Sequence, residues 1–192
     1  MTQWKNRDMP FSPGYANTVY SNHMWNYVVV PKCASSVIIE ILNLKQQKNE
    51  TAKNFTFIRH PFERLKSYMF QEKCFDVDST NKKIESVLYN WDNNDLHCVA
   101  YSSYVEKQDF DFIGTLENFD EDFKHISNIK IKNNSIRKES NDPQEKAFNE
   151  KVDHLYNKAF NYNSKQLTEA YAKDLILFNE VFNDNINNRA IH

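Results

Sequence analysis

Two segments of the chain each pass directly from a short apolar strand into a helix, and this repeated pattern restricts the possible folds strongly. Residues 26–31 form a run rich in β-branched side chains, and residues 34–44 follow with apolar positions at helical spacing. Residues 54–59 give a second strand, and Pro61 suits the first turn of a helix that should end near Gln71. Strands that alternate with helices in this way predict an α/β protein with a central parallel sheet flanked by helices.

The rest of the chain adds helices and one strand without a linker or an internal repeat, so residues 1–192 are interpreted as a single domain. Residues 1–23 show no periodicity and are predicted to form an irregular N-terminal arm. The alternating residues 110–114 predict a strand, and residues 127–145 predict a polar loop. Further helices are expected near residues 84–89, 96–104, 119–126, 144–160 and 164–182.

Composition and charge narrow the functional classes. A formal net charge of −2 gives no general attraction to nucleic acid or to membrane surfaces, so an anion site must be built locally. Cys33, Cys74 and Cys98 are odd in number and lack the spacing of a disulfide framework or a zinc site. The first residues lack the apolar region of a secretory signal, and no run approaches 18 apolar residues. We therefore expect a cytoplasmic protein with no membrane span, no nucleic-acid partner and no metal.

The first strand-to-helix turn carries a cation and two hydroxyls. Lys32 ends the strand, and Ser35 and Ser36 lie where the helix begins. A helix start exposes unpaired backbone N–H groups, so this combination suits a phosphate-like anion. The glycines of a magnesium-binding P-loop are missing, which disfavours a nucleotide kinase or triphosphatase. The alternative interpretation is an ordinary helix start, with a serine as N-cap and Lys32 as a solvated surface side chain.

The second strand-to-helix turn offers a similar set of groups. Arg59 leaves the strand, and Ser67 follows two helical turns later, where its hydroxyl can face back toward the helix start. An arginine with a neighbouring hydroxyl is a good partner for a phosphate group. The alternative is an Arg59 that is ion-paired with a nearby acid, while Arg64 is interpreted as a structural ion-pair partner. Two anion sites at the carboxyl ends of strands predict a ligand with two separated anionic groups.

Five motifs, in order between residues 26 and 180, resemble those of the Golgi-type carbohydrate sulfotransferases and their bacterial relatives. The resemblance implies a P-loop-like sulfotransferase fold that transfers a sulfuryl group from 3′-phosphoadenosine 5′-phosphosulfate to a hydroxyl of a carbohydrate-like acceptor. This nucleotide carries two separated anionic groups, in agreement with the two predicted sites. The motifs are PKCASS at 31–36, RHPFERLKSY at 59–68, the segment 111–123, Asn134-Ser135 with Arg137, and the segment 171–178.

The resemblance also implies roles for individual residues. Arg59 and Ser67 are expected to hold the 3′-phosphate, and Lys32 is expected to be catalytic because its cation would stabilise charge on the departing nucleotide. His97 is the first candidate for the base that takes the acceptor proton, and Glu117 is the second. The alternatives are a structural His97 and a Glu117 that caps a helix or pairs with a cation. The 5′-phosphosulfate is expected to be held by Lys32, Cys33, Ala34, Ser35 and Ser36.

The sequence also departs from the family pattern at several positions. Cys33 and Ala34 stand where members often have Gly or Thr, and Thr115 stands where many have a basic residue. In the stretch around His97, only the histidine matches the family segment. These departures keep open a second interpretation, a non-catalytic nucleotide-binding or interaction protein on the same scaffold.

Overall fold

A computed structural model describes residues 19–89, 97–127 and 142–189 of the chain. In this part the chain is an α/β structure, as predicted, in which five strands form one sheet flanked by helices. None of the helices in these ranges is long and apolar enough to cross a membrane. The strands are β1 (Val19–Ser21), β2 (Trp25–Val28), β3 (Lys45–Gln46), β4 (Lys53–Ile58) and β5 (Phe112–Thr115). The helices are α1 (Ser35–Ile41), α2 (Pro61–Gln71), α3 (Val77–Tyr89), α4 (Phe119–Phe123), α5 (Pro143–Tyr162), α6 (Ser164–Ala170) and α7 (Ala172–Arg189).

The sheet is mixed, whereas the sequence predicts a parallel one. Its strand order is β3-β1-β2-β4-β5, and β2, β4 and β5 are parallel neighbours. Strand β1 runs antiparallel to both β2 and β3. The difference arises because residues 19–21, which lie in the predicted irregular arm, pair with β2; residues 1–18 of that arm lie outside the described residues. The carboxyl ends of the three parallel strands meet at one edge of the sheet.

Local signals set the start of two predicted helices, α2 and α5. Helix α2 begins at Pro61, and the Nδ1 atom of His60 accepts a hydrogen bond from the Phe62 N–H at 3.3 Å as N-cap. Helix α5 begins at Pro143 after an Asp142 carboxylate that accepts from a first-turn N–H. Proline suits both starts because its missing N–H has no helical partner to lose. The predicted extent of α2 is confirmed.

Two other predicted helices differ from the observed structure. Between residues 97 and 104 there is only a short 3-10 turn, at Tyr101–Ser103, where a longer helix was expected. The closing helix predicted near 164–182 is divided at Tyr171 into α6 and α7. Most of the predicted loop 127–145 lies outside the described residues.

The core consists of two clusters of buried side chains. The first lies against the sheet and is centred on Phe55 and Phe57, whose side chains are fully buried. The second lies among α2, α3, α5 and α6 and includes Leu65 and Tyr156. The buried apolar side chains of α2 pack in this helical cluster, so the helix forms a well-supported base for side chains at its N-terminal end.

Strands β4 and β5 approach each other closely at one position. Gly114 is paired with Phe57, and a Cβ atom on Gly114 would lie 2.3 Å from Cε1 of the Phe57 ring. Because that distance is a severe overlap, only glycine fits beside this ring. The ring itself is enclosed by other aromatic side chains, namely Phe55, Phe112, Phe119 and Phe123.

Side chains from two helices bond backbone groups of the outer strand β5. Asp122 in α4 accepts hydrogen bonds from the Thr115 N–H at 2.7 Å and from the Thr115 hydroxyl at 2.9 Å. Asn185 in α7 donates to the Ile113 carbonyl at 3.0 Å. These bonds hold α4 and α7 against the strand, and they occupy groups that could otherwise pair with another strand.

Candidate functional site

A cavity of about 480 Å³ opens at the carboxyl ends of the parallel strands. Its wall combines the loop after β2, the turn after β4, one face of α2, and Leu116 after β5. The site residues predicted from the sequence line this cavity, except Cys33 and the second candidate base, Glu117. The polar side chains in the wall are those of Lys32, Ser35, Ser36, Arg59, Ser67, Gln71 and His97.

The loop between β2 and α1 has an unusual backbone. Lys32 and Ala34 adopt left-handed conformations, with φ values of 67° and 59°. This region favours glycine and costs other residues about 1–2 kcal/mol each. Both residues line the cavity, while Cys33 between them is fully buried in the core. Strained residues concentrate at binding and catalytic sites, where the surrounding structure holds them in place.

Cys33 is a predicted nucleotide-binding residue that the structure does not bring to the cavity. Its side chain packs in the sheet cluster, and its N–H donates to the Val30 carbonyl at 3.3 Å. Burial raises the pKa of the Cys33 thiol to about 12, although the nearby arginines lower it. The thiol therefore stays protonated at neutral pH, and the buried side chain holds the loop against the core.

Helix α1 starts without a side-chain cap. Its N-cap is Ala34, and Ser35 is the first helical residue, so the alternative in which a serine caps the helix is wrong. Lys32 is half-buried, and its ammonium group donates to the side-chain oxygen of Gln71 on α2. This contact joins two residues that line the cavity, one in the loop after β2 and one on α2.

Arg59 and Ser67 reach the cavity from the start and the middle of α2. The Arg59 guanidinium lies 3.8 Å from the Glu63 carboxylate, and Lys66 holds the same carboxylate more closely, at 2.7 Å. Burial alone would raise the pKa of Glu63, but Lys66 and Arg59 outweigh it and lower that pKa. Arg59 thus lines the cavity and contacts an acid, so the structure contains elements of both sequence interpretations.

His97 lines the cavity next to an aromatic ring. Its imidazole lies parallel to the ring of Tyr68 on α2, with 7° between the planes and 6.1 Å between the centroids. Burial raises the pKa of Tyr68 to about 12, so the phenol remains neutral and offers an uncharged surface to the imidazole. Residues 90–96, which contain most of the family-like stretch before His97, lie outside the described residues.

Glu117, the second candidate base, makes a structural contact. Its carboxylate accepts a hydrogen bond from the His60 backbone N–H at 3.0 Å, which ties the end of β5 to the start of α2. The contact is structural, but it is not the predicted cap, because neither the 3-10 turn at Glu117 nor α4 has a side-chain cap. His60 packs between Phe62 and Phe178, and burial lowers its pKa even though Glu117 and Glu63 raise it.

Arg64 is a buried group whose contacts reach two walls of the cavity. Its side chain is fully enclosed, and the residue is 1% exposed. The Nε atom donates to the Pro31 carbonyl at 2.9 Å, and Nη1 donates to the Val99 carbonyl at 2.7 Å. A structural role for Arg64 is therefore confirmed, although these donors bond backbone oxygens and the sequence predicts an ion pair.

Asp174 fixes the chain that follows His97. It is 0% exposed, and its two carboxylate oxygens accept the N–H groups of Tyr101 and Ser102 at 2.9 and 2.8 Å. Burial raises the pKa of Asp174, and these hydrogen bonds and a nearby arginine oppose the rise. The Tyr171 hydroxyl donates to the Cys98 carbonyl in the same region. Sequence reasoning missed this role of Asp174, because the bonded residues are 72 and 73 positions apart.

The segments that carry the family resemblance occupy distinct places. Residues 111–123 form β5, a 3-10 turn and α4, and Thr115 there is bonded to Asp122. Residues 171–178 contain Tyr171 and Asp174, described above. The motif with Asn134, Ser135 and Arg137 lies outside the described residues.

Within residues 19–89, 97–127 and 142–189, no group of three or more His, Cys, Asp or Glu side chains is placed to hold a metal ion. Comparison of the chain with protein-family models, with curated proteins and with solved structures gives no match.

Proposed function

We propose that the chain is a sulfotransferase on a P-loop-like fold, which moves a sulfuryl group from 3′-phosphoadenosine 5′-phosphosulfate to a hydroxyl of a carbohydrate-like acceptor. The observation that carries the proposal is the meeting of Lys32, Arg59, Ser67 and His97 in one cavity at the strand ends. Lys32 and Arg59 come from the ends of different strands, so the cavity offers two separate cations to a ligand with two anionic groups.

The proposed nucleotide lies across the ends of β2 and β4. Lys32 and the two serines of α1 bind the 5′-phosphosulfate, and Arg59 and Ser67 bind the 3′-phosphate. Cys33 and Ala34 contribute the shape of the loop, since the Cys33 side chain is buried and Ala34 has no polar side-chain atom. The side of the cavity that His97 lines is left for the acceptor.

The proposed reaction is an in-line sulfuryl transfer. The acceptor oxygen forms a bond to sulfur while the bond from sulfur to the bridging oxygen of the nucleotide breaks, and adenosine 3′,5′-bisphosphate leaves. His97 takes the proton of the acceptor hydroxyl, and the Lys32 ammonium stabilises the negative charge that develops on the bridging oxygen. No oxidation state changes, and no metal is part of the proposal.

The 3′-phosphate site gives the first test. Calorimetric titration should show that the wild type binds adenosine 3′,5′-bisphosphate at least about tenfold more tightly than adenosine 5′-monophosphate, because each charge-assisted bond to the extra phosphate is worth about 1.5–3 kcal/mol. Arg59→Ala should remove most of this preference. Equal affinities for the two nucleotides in the wild type would contradict the proposed function.

A matched control is available on the same helix. Lys66 is a neighbouring cation that also pairs with Glu63, and it does not line the cavity described above. Lys66→Ala should therefore keep the preference for the 3′-phosphate. Loss of the preference in both variants would indicate a general effect of positive charge, and it would argue against a specific phosphate contact at Arg59.

The non-catalytic alternative is distinguished by turnover. Transfer of labelled sulfate is measured with sugars, lipids and small alcohols as acceptors. Transfer to a hydroxyl compound supports the enzyme, whereas tight binding of adenosine 3′,5′-bisphosphate with no transfer to any of them supports the non-catalytic nucleotide-binding protein.

A further inference from the structure

We propose that Arg64 is a positioning residue that fixes the Lys32 loop and the His97 turn relative to each other. Its guanidinium bonds one backbone carbonyl in each segment, at 2.9 and 2.7 Å. The effect on nucleotide affinity rests on the proposed function, whereas the ordering of the two segments does not.

The bonded carbonyls lie next to the groups that face the cavity. Pro31 directly precedes Lys32, and Val99 lies two residues after His97. Lys32 is in the left-handed conformation, so the loop needs a contact that holds it there. A carbonyl oxygen fixed one residue away restricts the direction in which the Lys32 side chain leaves the backbone.

The geometry of arginine is necessary for this arrangement. The planar guanidinium directs donors along separate, fixed directions, so Nε and Nη1 can serve two segments at once, and Nη2 donates to the Tyr104 hydroxyl at 3.3 Å. A lysine ammonium has its donors on one atom and cannot span the same two carbonyls. Because the side chain is buried, losing one of these bonds leaves a carbonyl without a water molecule to replace it.

The position of Arg64 on α2 connects the two segments to the phosphate side of the cavity. Ser67 lies one helical turn after Arg64 and lines the cavity, and Gln71 accepts the hydrogen bond from Lys32 one turn further on. Helix α2 therefore carries both the Ser67 hydroxyl at the cavity and the Arg64 guanidinium, which bonds the Lys32 loop and the His97 turn.

The guanidinium is itself held in place by its surroundings. It lies 5.7 Å from the centre of the Tyr101 ring. The Asp174 carboxylate, which bonds the Tyr101 N–H, stabilises its positive charge. Replacement by an uncharged side chain therefore removes both the two backbone bonds and the partner charge of Asp174.

The test compares three variants of the whole chain. Arg64→Met removes the donors, and Arg64→Lys keeps the charge but can reach only one carbonyl. Asn26→Ala is the control, since Asn26 is also buried and donates to the Asn49 carbonyl at 2.7 Å, at the opposite end of β2. Amide hydrogen exchange is measured in residues 32–37 and 97–102 without ligand, and the affinity for adenosine 3′,5′-bisphosphate is measured by calorimetry.

In Arg64→Met, exchange should rise by at least about tenfold in both segments relative to the amides of β4, since both carbonyl contacts are lost. In Arg64→Lys it should rise in only one segment, and this milder variant keeps the test decisive if Arg64→Met does not fold. Asn26→Ala should leave both segments unchanged. Unchanged exchange, or an equal rise along the whole chain, would overturn the proposal.

The affinity for adenosine 3′,5′-bisphosphate then tests the positioning role of Arg64 separately from the proposed function. If the wild type binds the bisphosphate, both Arg64 variants should weaken binding by about tenfold or more, because misplaced contacts lose much of their strength, and Asn26→Ala should not. Wild-type affinity in the Arg64 variants would overturn the positioning role. If the wild type does not bind, the proposed function fails, and the exchange measurement alone decides the role of Arg64.

Discussion

At the scale of the residue, the loop after β2 holds a conformation that its own sequence does not favour. A glycine at position 32 would relax the backbone but would remove the ammonium group from the cavity. The buried Cys33 and the bonded Pro31 carbonyl hold the loop from both sides of Lys32. The left-handed backbone is thus maintained by its neighbours, and the lysine can stay where an anion would meet it.

Lys32→Ala gives the prediction at this scale. Its turnover in sulfuryl transfer should fall by about 100- to 1,000-fold, the usual effect of removing one group that stabilises developing charge, while the affinity for the donor nucleotide falls less than about tenfold. Initial rates and calorimetric titration measure the two quantities. Lys45→Ala, which changes an exposed lysine on β3, should match the wild type. Full turnover in Lys32→Ala would exclude the catalytic role.

At the scale of the element, the sequence predicts structure that depends on neighbouring residues. It does not predict structure that depends on contacts between residues far apart in the chain. Helix α2 matches its predicted bounds because Pro61 and the His60 cap are local signals. The helix expected through 96–104 is absent from 97–100, and the N–H groups of Tyr101 and Ser102 are instead held by Asp174. Five of the seven polar cavity side chains belong to two local motifs, whereas Gln71 and His97 do not. The Arg64 contacts join segments that no local pattern relates.

The contact of β4 with β5 gives the prediction at the scale of the element. Gly114→Ala should lower the free energy of unfolding by about 1–3 kcal/mol, because the new methyl group overlaps a Phe57 ring that other aromatic rings enclose. Denaturant unfolding measures the change. In a Phe57→Leu background the same substitution should cost less, since the overlapping ring atoms are gone. Equal costs in the two backgrounds would contradict the steric explanation.

At the scale of the whole molecule, both core clusters support the walls of the cavity. Side chains of the sheet cluster anchor the Lys32 loop, and those of the helical cluster support Tyr68 beside His97. Two titratable side chains, those of His60 and Asp174, make the free energy of unfolding depend on pH. Burial lowers the pKa of His60 from its ordinary 6.5 and raises the pKa of Asp174, so the two groups act in opposite directions and in different pH ranges.

The His60 contribution gives the prediction at this scale. The unfolded chain binds a proton at His60 at a higher pH than the folded chain does, so stability due to this group is present above pH 6.5 and is lost as the pH falls below it. His60→Asn keeps a cap for α2 but cannot titrate. Denaturant unfolding between pH 7.5 and 5.5 should therefore show a smaller loss of stability in the variant than in the wild type. If the free energy of unfolding depends on pH identically in the wild type and the variant, the pKa of His60 is not lowered in the folded chain.

The hydrogen bonds from Tyr101 and Ser102 to Asp174 also have a consequence for folding during synthesis of the chain. Ribosomes release a chain from its N-terminus, so all seven polar side chains of the cavity emerge before α7 does. Until Asp174 arrives, the N–H groups of Tyr101 and Ser102 lack the carboxylate that holds them in the finished fold. A nascent chain can thus carry every polar side chain of the cavity and still lack the arrangement that the proposed function requires.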